Sequence, residues 1–318
     1  MFEPPAGHPD HGKSTEAARF LGERLARQLR DGEPPSVAAM QLLMQAQTPA
    51  EARAALDVAE MLQRPDVARA CNSSASRATS SLRDVADLIA QNPAAWHIVH
   101  RIAGAIEHRL VEGNAVAHWA ALFDNLVGLS PEGSVALYSL GSPRLLAEAT
   151  REIVVLLDDW GLLEPASVVL DIGCGIGRLE RALASRVASV TGIDVSRAML
   201  AEAQRRCGDL PNVRFVLGSG TDLPEIAAES VDLVLLIDTL PYVTLSGSAL
   251  APRLCAEAAR VLEPGGSLLI LNATYGGDAD ADLASLARLA EGAGLELRRA
   301  DWNPLISWDA PAFQLAKP

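Results

Sequence analysis

Lysine is almost missing from this chain of 318 residues: Lys13 and Lys317 stand alone among 27 lysines and arginines. We read that scarcity as a compositional habit without mechanistic content. Basic charge as a whole is also short. Forty acidic residues give a formal net charge of −13, and the sequence pI is about 4.9. An average surface of that sign repels a phosphate backbone, so nucleic acid is not an expected partner. Cysteine is sparse too. Cys71, Cys174, Cys207 and Cys255 lie far apart, with no C-x-x-C pair. That pattern points to a reduced, cytoplasmic setting. No apolar run approaches the roughly 18 to 20 residues that span a bilayer. The first residues carry Pro, Gly, His and Asp where a secretory leader needs apolar ones. Neither a membrane nor a secreted location is expected. What the chain does have is 49% hydrophobic and 21% charged residues, enough to build a real core.

Residues 1–14 are polar and read as a disordered tail. From there to about residue 130 the pattern is helical. Thr48-Pro49-Ala50-Glu51 is a capping box with proline at the first helical position, opening a helix expected to reach about Gln63. Asn92-Pro93 starts another, with Trp96, Val99, Ile102, Ile106 and Leu110 expected on one helix face. Residues 15–130 are therefore expected to form an α-helical N-terminal domain, closed by a boundary turn at Ser130-Pro131-Glu132-Gly133.

The texture then changes. Short apolar runs end in Asp171, Asp194, Gly218, Asp238 and Asn272, most of them separated by helical stretches. Runs that are apolar on both faces and alternate with helices argue for a parallel sheet covered on both sides. Polar residues or glycines at their ends belong where the carboxyl edge of such a sheet meets a ligand. Two final strands around Leu297 and Leu315 need not be parallel to the rest.

The strongest local signal is a strand, then Asp171-Ile172-Gly173-Cys174-Gly175-Ile176-Gly177, then a helix. Glycines here permit a sharp turn and let a ligand lie against bare backbone. Asp194 closes the next strand, at the separation expected for a carboxylate that accepts hydrogen bonds from ribose hydroxyls. A dinucleotide loop reads G-x-G-x-x-G. Here the spacing is G-x-G-x-G, with Arg178 where the dinucleotide glycine would fall. The negative charge of Asp171 suits a ligand bearing an ammonium and a sulfonium better than a diphosphate.

Val169 to Gly177 resembles motif I of the class I S-adenosylmethionine-dependent methyltransferases. Gly192-Ile193-Asp194-Val195-Ser196 resembles their second motif, and Arg260-Val261-Leu262-Glu263-Pro264-Gly265-Gly266 their turn before strand five. The resemblance covers residues 131–318. It implies a Rossmann-like, doubly wound α/β sheet of seven strands with the last antiparallel, and S-adenosyl-L-methionine as cofactor. Asp171, Gly173, Cys174 and Gly175 would then lie along the methionine moiety, with Asp194 on the ribose and Val195 beside the adenine. Ser219, Gly220 and Thr221 would border the adenine edge, although the family often has an acidic residue where Ser219 stands. Ile237 and Asp238 would face the methionine part and the reacting centre.

Methyl transfer asks mainly for alignment, and needs a base only when the nucleophile must lose a proton. The candidates for the acceptor side are Asp238 and Tyr242, after strand four; Tyr138, as a lid contact or a packed boundary aromatic; and His118, near the domain boundary. Cys174 invites a nucleophile reading, but small residues suit that slot and no paired histidine is evident. His97, His100 and His108 share a helix face without a carboxylate partner, so no metal site is expected. The expected partner is a small-molecule acceptor, and the N-terminal helices are expected to act as a lid, a homodimer interface or both. Two alternatives keep the same cofactor: cyclisation or aminopropyl-type alkyl transfer, and a non-catalytic, cofactor-binding regulatory protein.

Overall fold

The computed structural model describes residues 11–63, 75–107, 109–111, 113–276 and 278–318; the expected tail therefore lies largely outside the described residues. Two compact units divide between Ala103 and Gly104.

The first unit is helical. Its described helices are α1 (His11–Asp31), α2 (Pro35–Gln45), α3 (Pro49–Leu62), α4 (Ala75–Gln91) and α5 (Ala95–Ala103). At the start of α3 the Thr48 hydroxyl accepts the Glu51 amide at 3.1 Å. Glu51 reaches back one residue further than the motif requires, accepting the Gln47 amide at 2.6 Å. Both bonds satisfy amides that the helix leaves without partners. Trp96 and His100, one turn apart on α5, both bond the Ala46 carbonyl, at 2.9 and 2.7 Å. Among the described residues no three His, Cys, Asp or Glu side chains are grouped to hold a metal; His108 lies outside them. No described helix is long and apolar enough to cross a membrane.

The second unit carries α6 (Ala115–Leu129), α7 (Pro131–Val135), α8 (Pro143–Asp159), β1 (Val168–Ile172), α9 (Arg178–Leu183), β2 (Ser189–Asp194), α10 (Arg197–Cys207), β3 (Val213–Leu217), β4 (Val231–Ile237), α11 (Leu240–Leu245), α12 (Leu250–Val261), β5 (Leu262–Leu271), α13 (Ala279–Ala293), β6 (Glu296–Asp301) and β7 (Ala312–Ala316). The seven strands form one sheet in the order β3-β2-β1-β4-β5-β7-β6. β1 to β5 pair in parallel, and β7 is antiparallel to both its neighbours. The order reverses between β1 and β4, which puts a crevice at their carboxyl ends, where Asp171 and Asp238 sit. Leu170, Val234, Leu236, Leu268, Ile270 and Phe313 are fully buried in the sheet's core.

Two expectations change. The unit boundary falls well before residue 130, because α6 is bonded into the sheet-bearing unit. Just ahead of α6 the Val111 amide donates to the Leu245 carbonyl at 2.9 Å, and within it the Trp119 indole donates to the Ser246 hydroxyl at 2.9 Å. Asp124 on α6 accepts from the Ser196 hydroxyl at 2.6 Å and the Ala198 amide at 2.9 Å. The expected turn at Ser130 is instead a helix start: its hydroxyl accepts the Gly133 amide at 3.1 Å, with Pro131 at the first helical position.

Asp124 thus helps to cap α10 from a distant helix. Asp124→Ala should lower unfolding stability by about 1 kcal/mol, read as a lower urea midpoint with an unchanged slope. An unaltered midpoint would show that this contact does not hold α6 in place.

Candidate functional site

The loop after β1 is shaped by three glycines with positive φ: Gly173 at 81°, Gly175 at 54° and Gly177 at 76°. A side chain at Gly173 would place its Cβ 2.2 Å from the Thr239 hydroxyl oxygen, and one at Gly175 would meet Val135 Cγ1 at 2.7 Å. These positions need glycine for space as well as for conformation. The Gly173 amide donates to the Ile193 carbonyl at 2.7 Å.

Asp194 ties the loop to β2. Its Oδ2 accepts the Gly175 amide at 2.9 Å and its Oδ1 the Ser196 amide at 2.8 Å. Each carboxylate oxygen retains a second acceptor direction. Burial raises the Asp194 pKa, and the Ser196 and Gly175 amides oppose that shift. Val195 follows, half-buried. Gly220 (φ 74°) is set so closely that an added Cβ would touch Val116 at 2.7 Å and Val195 at 3.0 Å. The Ser219 hydroxyl accepts the Thr221 and Asp222 amides at 3.1 and 2.9 Å, so its side chain serves its own turn. Thr221 Oγ1 lies 3.1 Å from the same hydroxyl. Asp222 pairs with Arg253.

Beneath the loop is a cluster that the sequence reading did not contain. Asp171 is 2% exposed and Glu180 fully buried, and among the described residues Asp171 Oδ1 and both Glu180 carboxylate oxygens have no hydrogen-bond partner. Burial, with the neighbouring Asp194 charge, lifts Asp171 to about 7 against the pull of Arg178. Burial and Asp171 push Glu180 well up as well. Two buried carboxyls side by side retain a proton. Cys174 sits among them, and its thiol is pushed up by burial first and then by Glu180, Asp194 and Asp171. It is thus packed as a small apolar residue and is unsuited to thiolate chemistry. Glu180 carries no motif signal; it resembles an ordinary acidic residue in a helix's first turn.

Ile237, 7% exposed, ends β4. Asp238 follows with φ 57°, and Asn272, directly after β5, has φ 62°. Asp238 Oδ1 accepts from Asn272 Nδ2 at 2.7 Å and from the Tyr275 hydroxyl at 2.9 Å. The Tyr242 ring meets Trp119, Phe123 and Tyr275 edge to face, with centroids 5.0, 5.2 and 5.8 Å away. Tyr138 is buried and stacks on Trp308 at 5.2 Å; its hydroxyl has no hydrogen-bond partner, nor has Nη1 of Arg178. His118 stands apart. It is exposed, with its ring against the edge of Trp119 at 4.9 Å, and no described bond joins it to the carboxylates. Asp124 and Glu180 were neighbours of the site that sequence reasoning did not single out, and Asn272 was read there only as a strand end.

Residues 169–266 match the family model described as a methyltransferase domain. This part of the chain is a methyltransferase domain. The methyltransferase domain has curated relatives. The demethylmenaquinone methyltransferase of Tropheryma whipplei (strain Twist) is 42% identical over 102 residues, which is 32% of this chain and 40% of that protein. The trans-aconitate 2-methyltransferase of Methylobacterium nodulans is 38% identical over 126 residues, 39% of this chain and 44% of that one. The matches thus span less than half the length of these relatives. A solved SAM-dependent methyltransferase from Aquifex aeolicus aligns over 55% of this chain and 93% of its own, with 22% identity and a TM-score of 0.44.

The buried pair gives a pH signature. A carboxyl whose pKa rises on folding opposes the folded state above its unfolded value. For Asp171, stability should therefore fall as pH climbs from about 4 to about 7. Glu180→Gln removes one charge of the pair, so it should flatten that fall and raise the melting temperature at pH 7.5 more than at pH 5. An equal shift at both pH values would show that the pair does not share a proton.

Proposed function

We propose that the chain transfers a methyl group from S-adenosylmethionine to a small-molecule acceptor. The observation that carries this reading is the bare-backbone loop of Gly173 and Gly175, closed by the Asp194 carboxylate. The residues present fit such a cofactor. Gly220 lets the backbone pass directly against the Val116 and Val195 side chains, two apolar groups that would flank an adenine edge. Asp171 Oδ1, Tyr138 Oη and Arg178 Nη1 are buried polar atoms without partners, and buried polar groups normally find them. An anionic site at Asp171 answers an ammonium or sulfonium, and the Arg178 guanidinium answers a carboxylate. The names of the relatives, which act on demethylmenaquinone and trans-aconitate, support a small-molecule acceptor.

When bound, the cofactor supplies a methyl group that is already electrophilic. The chain's own work is then to hold and orient. Asp194 would fix the ribose through the acceptor directions its loop bonds leave free. Gly173, Gly175 and Cys174 would line the methionine arm, with Ile237 as an apolar wall. Asp238 and Tyr242 would border the acceptor. Correct alignment and exclusion of water are worth about 7 to 11 kcal/mol to such a displacement.

Asp194→Ala should weaken S-adenosylmethionine binding at least about tenfold in equilibrium dialysis, against no change for the exposed Arg19→Ala. Retained affinity would remove Asp194 from the site. Turnover should leave S-adenosylhomocysteine; methylthioadenosine as product would establish a different chemistry.

A further inference from the structure

The ends of β4 and β5 carry an arrangement that cofactor binding does not require. Asp238 and Asn272, neither of them glycine, both adopt left-handed backbone at adjacent strand ends, a conformation that neighbouring structure must enforce. The Asp238 amide is held by the Leu271 carbonyl at 2.9 Å and the Asn272 amide by the Pro311 carbonyl at 3.0 Å. The consequence is that two donors, Asn272 Nδ2 and the Tyr275 hydroxyl, converge on the same oxygen, Oδ1 of Asp238. Among the described residues, Oδ2 receives no donor, and the side chain is only half-buried. One lobe of the carboxylate is fixed and the other is open. Beside it stand the rings of Tyr242, Tyr275 and Phe123, all at least partly exposed, with Trp119 buried behind Tyr242.

We infer that Asp238 is the proton acceptor for an aromatic hydroxyl substrate, with Asn272 and Tyr275 as its positioning residues and the Tyr242 cluster as the wall on which the substrate ring lies. This rests on the methyl-transfer reading. A carboxylate with one oxygen pinned by neutral donors offers the other in a defined direction, which is what a general base requires. An aromatic wall beside it favours a planar ring in offset or edge contact. The charge balance favours a neutral hydroxyl over an ammonium. The Arg178 guanidinium and the Asp309 carboxylate act on Asp238 in opposite senses, so the charge left to meet the carboxylate is that of the methyl donor. In the reaction the acceptor oxygen forms its bond to the methyl carbon as the carbon–sulfur bond breaks, its electron pair staying on sulfur. The O–H proton passes to Oδ2 of Asp238 and from there to solvent.

The test uses the whole chain saturated with S-adenosylhomocysteine, and 2-naphthol, 2-naphthylamine and naphthalene as probes, with binding read by fluorescence at pH 8. 2-Naphthol should bind at least about tenfold more tightly than the other two, and Asp238→Asn should cost it at least about tenfold. Burial places the Asp238 carboxyl at about 6, against the opposing pull of Asn272 and Tyr275. Naphthol affinity should therefore fall below about pH 6. In Tyr275→Phe, which loses one of those donors, the fall should begin at higher pH; a purely structural tyrosine would leave it in place. Equal binding of naphthol and naphthalene, tighter binding of the amine, indifference to Asp238→Asn, or an unmoved pH edge would each overturn the assignment while the cofactor reading stands. Failure of S-adenosylhomocysteine to bind at all would overturn both.

Discussion

The contact on which this site depends is the hydrogen bond from the Gly175 amide to the Asp194 carboxylate, 2.9 Å long. It joins the loop after β1 to the end of β2, and it exists because glycine permits the positive φ that turns the amide toward β2. The second carboxylate oxygen holds the start of α10 through Ser196. Ser196 in turn donates to Asp124 on α6. One side chain therefore coordinates the glycine loop, the second strand and, through a single intermediary, the helix whose aromatic residues border Tyr242. A methyltransferase domain assembled this way shapes its cradle before any ligand arrives, so less binding energy is lost to ordering.

Charge follows the same geometry. Asp171, Glu180 and Asp194 are gathered around one loop in surroundings that disfavour ionisation, with Arg178 as the nearby cation. Such a cluster is a poor device for stability, since buried charge costs more than its pairing returns. It is a good device for meeting a cationic ligand whose own charge relieves the repulsion. The site proposed for the acceptor is organised differently: a single carboxylate, Asp238, two neutral donors and a ring wall. Under the proposed reading, two environments of opposite character at neighbouring strand ends would let one fold hold a charged donor and position an uncharged nucleophile.

Much of this was legible in the residues. The alternation of apolar runs with helices specified the parallel sheet, because both faces of each strand had to be buried. The polar residue closing each run marked its carboxyl edge. The loop glycines and Asp194 were legible because their roles are local, fixed by backbone conformation and by one strand-to-strand step. The long-range partners were not. Asn272 lies 34 residues beyond Asp238, and Asp124 lies 72 residues before Ser196; neither separation leaves a spacing pattern. The unit boundary was misplaced for the same reason. α6 looks like the helices before it, and its bonds to Ser196, Ala198 and Ser246 reveal where it belongs. His118 drew notice through its place near the expected domain boundary, and that boundary lies elsewhere.

The central claim is that the glycine loop and Asp194 form a receptor for adenosyl sulfonium rather than for a diphosphate. Calorimetric titration of the intact chain with S-adenosylmethionine, and in parallel with a nicotinamide dinucleotide, tests it most directly. The account predicts saturable heat at one site for the sulfonium compound and none for the dinucleotide. Saturable binding of the dinucleotide, with no heat from S-adenosylmethionine, would contradict it.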